Sequence, residues 1–196
     1  MYQVIGDANS RAFRVLWMLE ELGQPYRHVA AKPRSETVVA LNPYGKVPVL
    51  VDGETPLTDS TAILQYLADK HGALTFPAGT RERARQDGLT HMLLDEIEAC
   101  LWTAARHSFI LPEEVRVGAI KPALTWEFAR AQLGVAERLG DQDFLMGKQM
   151  TVPDIILTHC GYWAASARFE ITAPNLAAYL ERMMARPAWK KVMALR

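Results

Sequence analysis

Val47-Pro48 opens an apolar run, Val49-Leu50-Val51, and no other dipeptide restricts the folding of this chain more. Proline lacks the N–H that a central ladder needs and holds the residue before it extended, so the run reads as a strand whose first residue is Pro48. Val47 then lies flat with its own N–H and C=O available, and a short extended peptide can pair with it as an added strand would. A cis Val47-Pro48 bond would fix that exposure, and the sequence fits either isomer. Downstream, Thr58-Asp59-Ser60-Thr61-Ala62-Ile63 reads as a helix start with a carboxylate and a hydroxyl in its first turn. Unpaired N–H groups and the positive dipole end suit a carboxylate there, and Asp59 suits an ammonium group. Together the segments predict a site for a ligand with α-amino and α-carboxylate groups at one end and a peptide backbone in its middle.

Composition narrows the partners. The 196 residues are 49% hydrophobic, enough for one full core or two small ones. Basic and acidic residues balance at 22 each, so nothing argues for nucleic acid or an anionic membrane surface. Cys100 and Cys160 have neither metal-ligand spacing nor a disulfide framework, which suits a reducing compartment, and His91, His107 and His159 show no metal-binding spacing either. No leader pattern or bilayer-length apolar run is visible. The expectation is a cytoplasmic protein that acts on small molecules without a metal.

Residues 2–5 are a strand candidate, and residues 10–22 a helix closed by Gly23, with apolar side chains on more than one face. A second strand falls on residues 26–29. Residues 47–51 and those just after Gly53 form a hairpin, and residues 59–70 a helix stopped by Gly72. The order β-α-β, loop, β-β-α places a thioredoxin-like α/β domain at residues 1–73. Residues 74–80 read as a linker, and residues 81–196 as an all-α domain. In it, residues 81–106 form one long helix and residues 122–139 another, stopped by Gly140. A third opens at the capping box Thr151-Val152-Pro153-Asp154, and shorter helices cover residues 174–185 and 187 onward.

The runs Gly45-Lys46-Val47-Pro48-Val49-Leu50 and Asp59-Ser60-Thr61-Ala62-Ile63 resemble the glutathione site of the cytosolic glutathione transferases. The likeness continues through residues 10–23 and Thr151-Val152-Pro153-Asp154-Ile155, over nearly the whole chain. It implies a glutathione transferase of the bacterial, serine-type, theta-like or zeta-like kind, a homodimer that conjugates glutathione to a small, apolar electrophile. By the resemblance, Val47 before Pro48 pairs with the cysteinyl backbone, Asp59 and Ser60 hold the γ-glutamyl end, and Lys46 lies near the glycyl carboxylate. Lys32 and Arg34 are further cations in reach of that carboxylate.

The family places a Tyr, Ser or Cys after the first strand to stabilise the thiolate, and here the loop is Gly6-Asp7-Ala8-Asn9-Ser10. Ser10 is the first candidate, since its hydroxyl can donate to sulfur where a helix begins; it also fits a plain N-cap. Counting back from Gly23, however, the serine of theta-like and zeta-like members falls on Asn9, whose amide can donate as well. The second substrate is expected where the long helix faces the first domain, with Trp102, Arg106, His107 and Phe109 as candidates beside Met92. A glutathione-dependent isomerase or peroxidase, or a non-catalytic glutathione-binding protein, is the alternative; Asn9-Ser10-Arg11 does not match the Ser-Ser-Cys loop of a zeta-like isomerase.

Overall fold

The computed structural model describes residues 1–196. It divides into two compact units, Met1–Ala78 with Met184–Arg196, and Gly79–Met183.

In the first unit β1 (Tyr2–Ile5) pairs in parallel with β2 (Tyr26–Val29), Tyr2 opposite Tyr26. Helix α1 (Ala12–Glu21) crosses between them, as a parallel pair requires. Strand β3 (Val49–Asp52) runs antiparallel to β1, with Ile5 opposite Val49, and turns through Gly53 into β4 (Thr55–Thr58). The sheet order β2-β1-β3-β4, with α3 (Ser60–His71) following β4, is the thioredoxin-like arrangement. Pro48 stands just outside the ladder, so the strand starts one residue later than the sequence suggests.

Every residue of α1 from Ala12 to Leu19 is buried, which explains its apolar positions on more than one face. The helix starts at Ala12 and not at Ser10, because residues 8–11 form a turn closed by Ser10 N–H on the Asp7 carbonyl (2.9 Å). It ends in a Schellman motif: Gly23, at φ +63°, donates to Glu20 O and Gln24 donates to Leu19 O. A short helix, α2 (Glu36–Val39), lies in the stretch that reads as loop, and it sends Val38 into the core beside Ile5 and Val49.

The sequence reading runs the helical domain to residue 196, yet α9 (Pro187–Met193) packs within the first unit. Its Trp189 meets Phe13 at a 60° tilt with ring centroids 4.5 Å apart, and Trp17 edge-on at 4.8 Å. Arg186 grips Glu21 through two bonds of 2.7 Å, and Lys191 meets Glu20 at 2.7 Å.

The second unit is helical. Residues 81–106, read as one helix, are α4 (Arg81–Met92), a π turn (Leu93–Glu98) and α5 (Ala99–Ala105), with a further π turn over Arg106–Ile110. Thr80 caps this run by accepting from Arg83 N–H. Helix α6 (Lys121–Leu139) stops at Gly140, and α7 (Val152–Ala167) is buried from Val152 to Gly161. Gly161 lets Leu180 of α8 (Pro174–Met184) lie where a Cβ would stand, only 2.6 Å from the leucine methyl. The capping box forms at the head of α7. Its Asp154 carboxylate, fully buried, accepts from Thr151 N–H (2.7 Å), the Thr151 hydroxyl (2.9 Å), Leu145 N–H (2.9 Å) and the Tyr179 hydroxyl (2.6 Å). Burial pushes the Asp154 carboxyl above its ordinary value, and these donors oppose the shift.

Asp154→Ala would strand four buried donors at once. A loss of about 3–4 kcal/mol is expected, read as a lower urea midpoint of the helical unit, and an unchanged midpoint would mean that water replaces the carboxylate at little cost.

Candidate functional site

The site grows from the end of β1. There Gly6, at φ +143°, continues the parallel pairing through its N–H to Val29 O, and Asp7 N–H follows to Ala31 O, both at 3.0 Å. A Cβ on Gly6 would lie 2.9 Å from Ala12 Cβ and 3.0 Å from Val47 Cβ. Only the absence of a side chain lets the strand end, the head of α1 and Val47 converge.

The Val47-Pro48 bond is cis, and Pro48 is buried while Val47 is partly so. Neither the N–H nor the C=O of Val47 is hydrogen-bonded within the chain, since β3 pairs only from Val49 onward. Asn42, 5% exposed, braces the approach: its Nδ2 donates to Lys46 O (2.9 Å) and its Oδ1 accepts from Tyr44 N–H (3.2 Å). Sequence reasoning gives Asn42 no role; its place before Pro43, in a turn that must deliver Val47 flat, is the signal that could have found it. The backbone of Arg34 is seated against Gly45, with Arg34 N–H on Gly45 O at 2.8 Å and a glycine Cβ position 3.2 Å from Arg34 Cα. Arg34 and Lys46 thereby lie at neighbouring backbone positions, both exposed and without an ion pair, while Lys32 is exposed nearby in sequence.

Asp59 caps α3 in an unusual backbone state, φ +68° and ψ 121°. Its Oδ1 accepts from Thr61 N–H (2.9 Å) and Ala62 N–H (3.0 Å), and its carbonyl from Ile63 N–H (2.9 Å). The sequence reading leaves the whole first turn open to a ligand's carboxylate; the cap takes most of those donors. What stays free within the chain is the N–H and hydroxyl of Ser60, 4% exposed, beside the second oxygen of an exposed Asp59. Two donors for a carboxylate next to an acceptor for an ammonium group is the complement of an α-amino acid head.

In the turn after β1, Ser10 and Asn9 are held differently. The Ser10 hydroxyl donates to Asp7 O (2.6 Å) and accepts from Ala12 N–H (3.1 Å). Asn9 Nδ2 donates to Asp7 Oδ1 (2.8 Å), Asn9 N–H donates to the same oxygen (2.7 Å), and Asn9 Oδ1 accepts from Arg196 Nε (2.8 Å). The two bonds from Asn9 hold the Asp7 carboxyl below its ordinary range, helped by the charges of His28 and Arg196.

The candidates for a second substrate lie in the helical unit. Phe109, 66% exposed, lines a pocket of about 250 Å³ with Leu101, Ala105, Ser108 and Trp163, while Met92, Trp102, Arg106 and His107 do not. Leu101, Ala105 and Ser108 share one helical face and the others fall off it. Arg106 Nη2 donates to the Thr103 hydroxyl (2.9 Å) with its Nε buried and unpaired, and His107 Nδ1 accepts from Val117 N–H (3.0 Å). Both cysteines are buried, and burial pushes the Cys100 thiol up to about 11, which removes it as a nucleophile at neutral pH.

Residues 9–76 match the family described as glutathione S-transferase, N-terminal domain, and residues 128–187 that described as glutathione S-transferase, C-terminal domain. Glutathione S-transferase 1 of Triticum aestivum is 30% identical over 199 residues, covering 91% of this chain and 87% of that protein. A glutathione transferase from Methylococcus capsulatus str. Bath superimposes with a TM-score of 0.84 at 26% identity, over 99% of this chain and 98% of that one. One from Phanerochaete chrysosporium, solved with oxidized glutathione, shares the fold at a TM-score of 0.87 and 22% identity, over 98% and 93%.

Gly6→Ala tests the convergence on which the site is built. The added methyl collides with two Cβ atoms and demands a disfavoured φ, so a loss on the order of 3 kcal/mol is expected in urea denaturation. A wild-type midpoint would show that the strand end shifts freely and that the close approach is incidental.

Proposed function

The chain belongs to the glutathione S-transferase family, and from that premise we propose that it activates the thiol of glutathione and joins the sulfur to a small apolar electrophile. The observation that carries this reading is Val47, whose backbone N–H and C=O are both unspent behind a cis proline and beside the turn that follows β1. The cysteinyl residue of glutathione pairs there as a one-residue strand. Its γ-glutamyl head sits at the start of α3, the ammonium on the free oxygen of Asp59 and the carboxylate on the N–H and hydroxyl of Ser60. Lys46 and Arg34 meet the glycyl carboxylate. Pro48, the site candidate next to Val47, is buried and leads into β3.

A free cysteine thiol, with a pKa near about 8.5, is only a few per cent thiolate at neutral pH, and each unit of lowering takes roughly 1.4 kcal/mol of preferential stabilisation. A donor aimed at sulfur supplies it. The Ser10 proton is committed to Asp7 O, whereas Asn9 keeps one amide hydrogen uncommitted, so Asn9 takes the donor role and Ser10 shapes the turn. With Asn9 in this place the chain departs from the serine-type class that theta-like and zeta-like members define. The thiolate then attacks an electrophilic carbon; the C–S bond forms as a leaving group departs with its electron pair, or as the carbon skeleton takes up a proton. Within the helical unit, the apolar pocket lined by Phe109 is the surface suited to such a partner. A homodimer in the cytoplasm completes the reading, and two buried free cysteines suit such a reducing compartment.

The bond from Ser10 to Asp7 O also favours a second reading, in which glutathione is held but not activated. Ultraviolet difference titration separates the two, because thiolate absorbs where thiol does not. A thiolate band appearing well below the free thiol's pKa is expected in the wild type. Asn9→Ala should move it up by about one to two units, and Ser10→Ala by far less. Asp59→Asn keeps an oxygen for the cap but removes the charge, so glutathione binding should weaken about 10- to 100-fold with the fold intact. Unchanged affinity would remove Asp59 from the ammonium site, and tight binding without any thiolate band would hand the protein to the second reading.

A further inference from the structure

Arg196, beyond α9, reaches the turn after β1, and the function proposed above gives it no role. Arg196 is held over that turn by its own backbone, N–H to Met193 O (3.3 Å), after Leu195 N–H to Val192 O (3.0 Å), and its Nη1 rests on Met193 Sδ (3.8 Å). The helix before it is pinned to α1 by Trp189, Arg186 and Lys191, so the guanidinium approaches from a fixed support. Its Nε donates to Asn9 Oδ1 at 2.8 Å.

From this geometry we infer that Arg196 is a positioning residue for thiol activation, acting through the Asn9 side chain; the inference rests on the reading of Asn9 as the sulfur's donor. A guanidinium only donates and a carboxylate only accepts. Arg196 on one side and Asp7 on the other therefore fix which end of the amide is oxygen and which nitrogen. They leave a single Nδ2 hydrogen unspent, and because the amide is planar its two N–H bonds diverge, so that hydrogen points away from Asp7. A donor that already accepts from a cation is polarised, and its remaining N–H is the stronger for it. The chain Arg196 to Asn9 to Asp7 thus carries a positive charge's influence to the thiolate without the arginine touching glutathione. Asp7 stays ionised, and so remains an acceptor, through the neutral range.

The test compares wild type, Arg196→Ala, Arg196→Lys, Asn9→Ala and the Asn9→Ala/Arg196→Ala double variant. It uses S-methylglutathione to read binding without a thiol and ultraviolet titration of bound glutathione to read the thiolate. Arg196→Ala is expected to bind S-methylglutathione as the wild type does and to raise the bound thiol's pKa by on the order of one unit. The kcat below that pKa should fall in proportion, with KM little changed. Lysine, which can still donate to Asn9 Oδ1, should restore most of the shift. In the Asn9→Ala background the arginine's loss should add nothing, since a residue acting through Asn9 has no route left. An equal thiol pKa in wild type and Arg196→Ala, or additive shifts in the double variant, would overturn the inference while leaving glutathione activation standing. Wild-type protein that binds S-methylglutathione but lowers no thiol pKa would bring down the reading of Asn9 and this inference together.

Discussion

The close approach at Gly6 is the constraint on which the rest of the first unit hangs. Two consecutive elements, the end of β1 and the head of α1, meet Val47 from far along the chain where a single methyl group would not fit. Because the interior is close-packed, that contact cannot be relaxed locally without moving a strand or a helix. It couples two things that a thiol-activating site needs at once: an extended backbone with free pairing groups, and a turn that can present donors. The buried Asn42 then braces the Val47 side of the contact, while the bonds among Asp7, Asn9 and Ser10 hold the other.

The helix that closes the first unit comes from the far end of the chain. A four-stranded sheet with few helices has little apolar area to bury, and α1, buried along its whole first two turns, needs cover on its outer side. Trp189, set against Phe13 and Trp17, supplies large aromatic area, and two ion pairs fix the direction of α9. Arg186 is bidentate on a Glu21 side chain only 10% exposed, and with Lys191 on Glu20 it chooses one orientation among several that the aromatic contact would tolerate. The last residues of the chain, beyond α9, are consequently carried to the turn after β1.

Legibility in the sequence tracks the range of each interaction. The element order, the Gly23, Gly72 and Gly140 stops, and the capping box before α7 are local, and each is readable from residues a few positions apart. Val47-Pro48 and Asp59-Ser60 are readable for the same reason, although the competition of Asp59 with a ligand for its own helix's N–H groups is not, because it depends on a positive φ that the sequence does not announce. The start of α1 slips by two residues because Ser10 can serve equally as a cap or as part of a turn, and only the Asp7 carbonyl decides between them. The π turns within residues 93–110 leave no periodic mark, since one extra residue in a helical run changes the apolar pattern less than ordinary variation does. Docking of α9 within the first unit and the reach of Arg196 to Asn9 are tertiary facts spanning nearly the whole chain, with no local signal at all.

The choice between serine and asparagine at such a turn has a physical logic. A hydroxyl has one hydrogen: once it donates to Asp7 O, its orientation is defined but its donor is spent, and aiming it at sulfur means breaking the bond that holds it. An amide has two hydrogens and an oxygen, so it can be anchored at both ends and still keep a donor. Pre-organisation and donation conflict in the first case and coexist in the second. The anchoring has a requirement of its own, a carboxylate on one side and a cation on the other, and a turn bearing asparagine without both would leave its amide free to rotate. Asp7 meets that requirement from the strand end, two residues away. The cation must come from another element, and the packing of α9 against α1 is what brings Arg196 within reach.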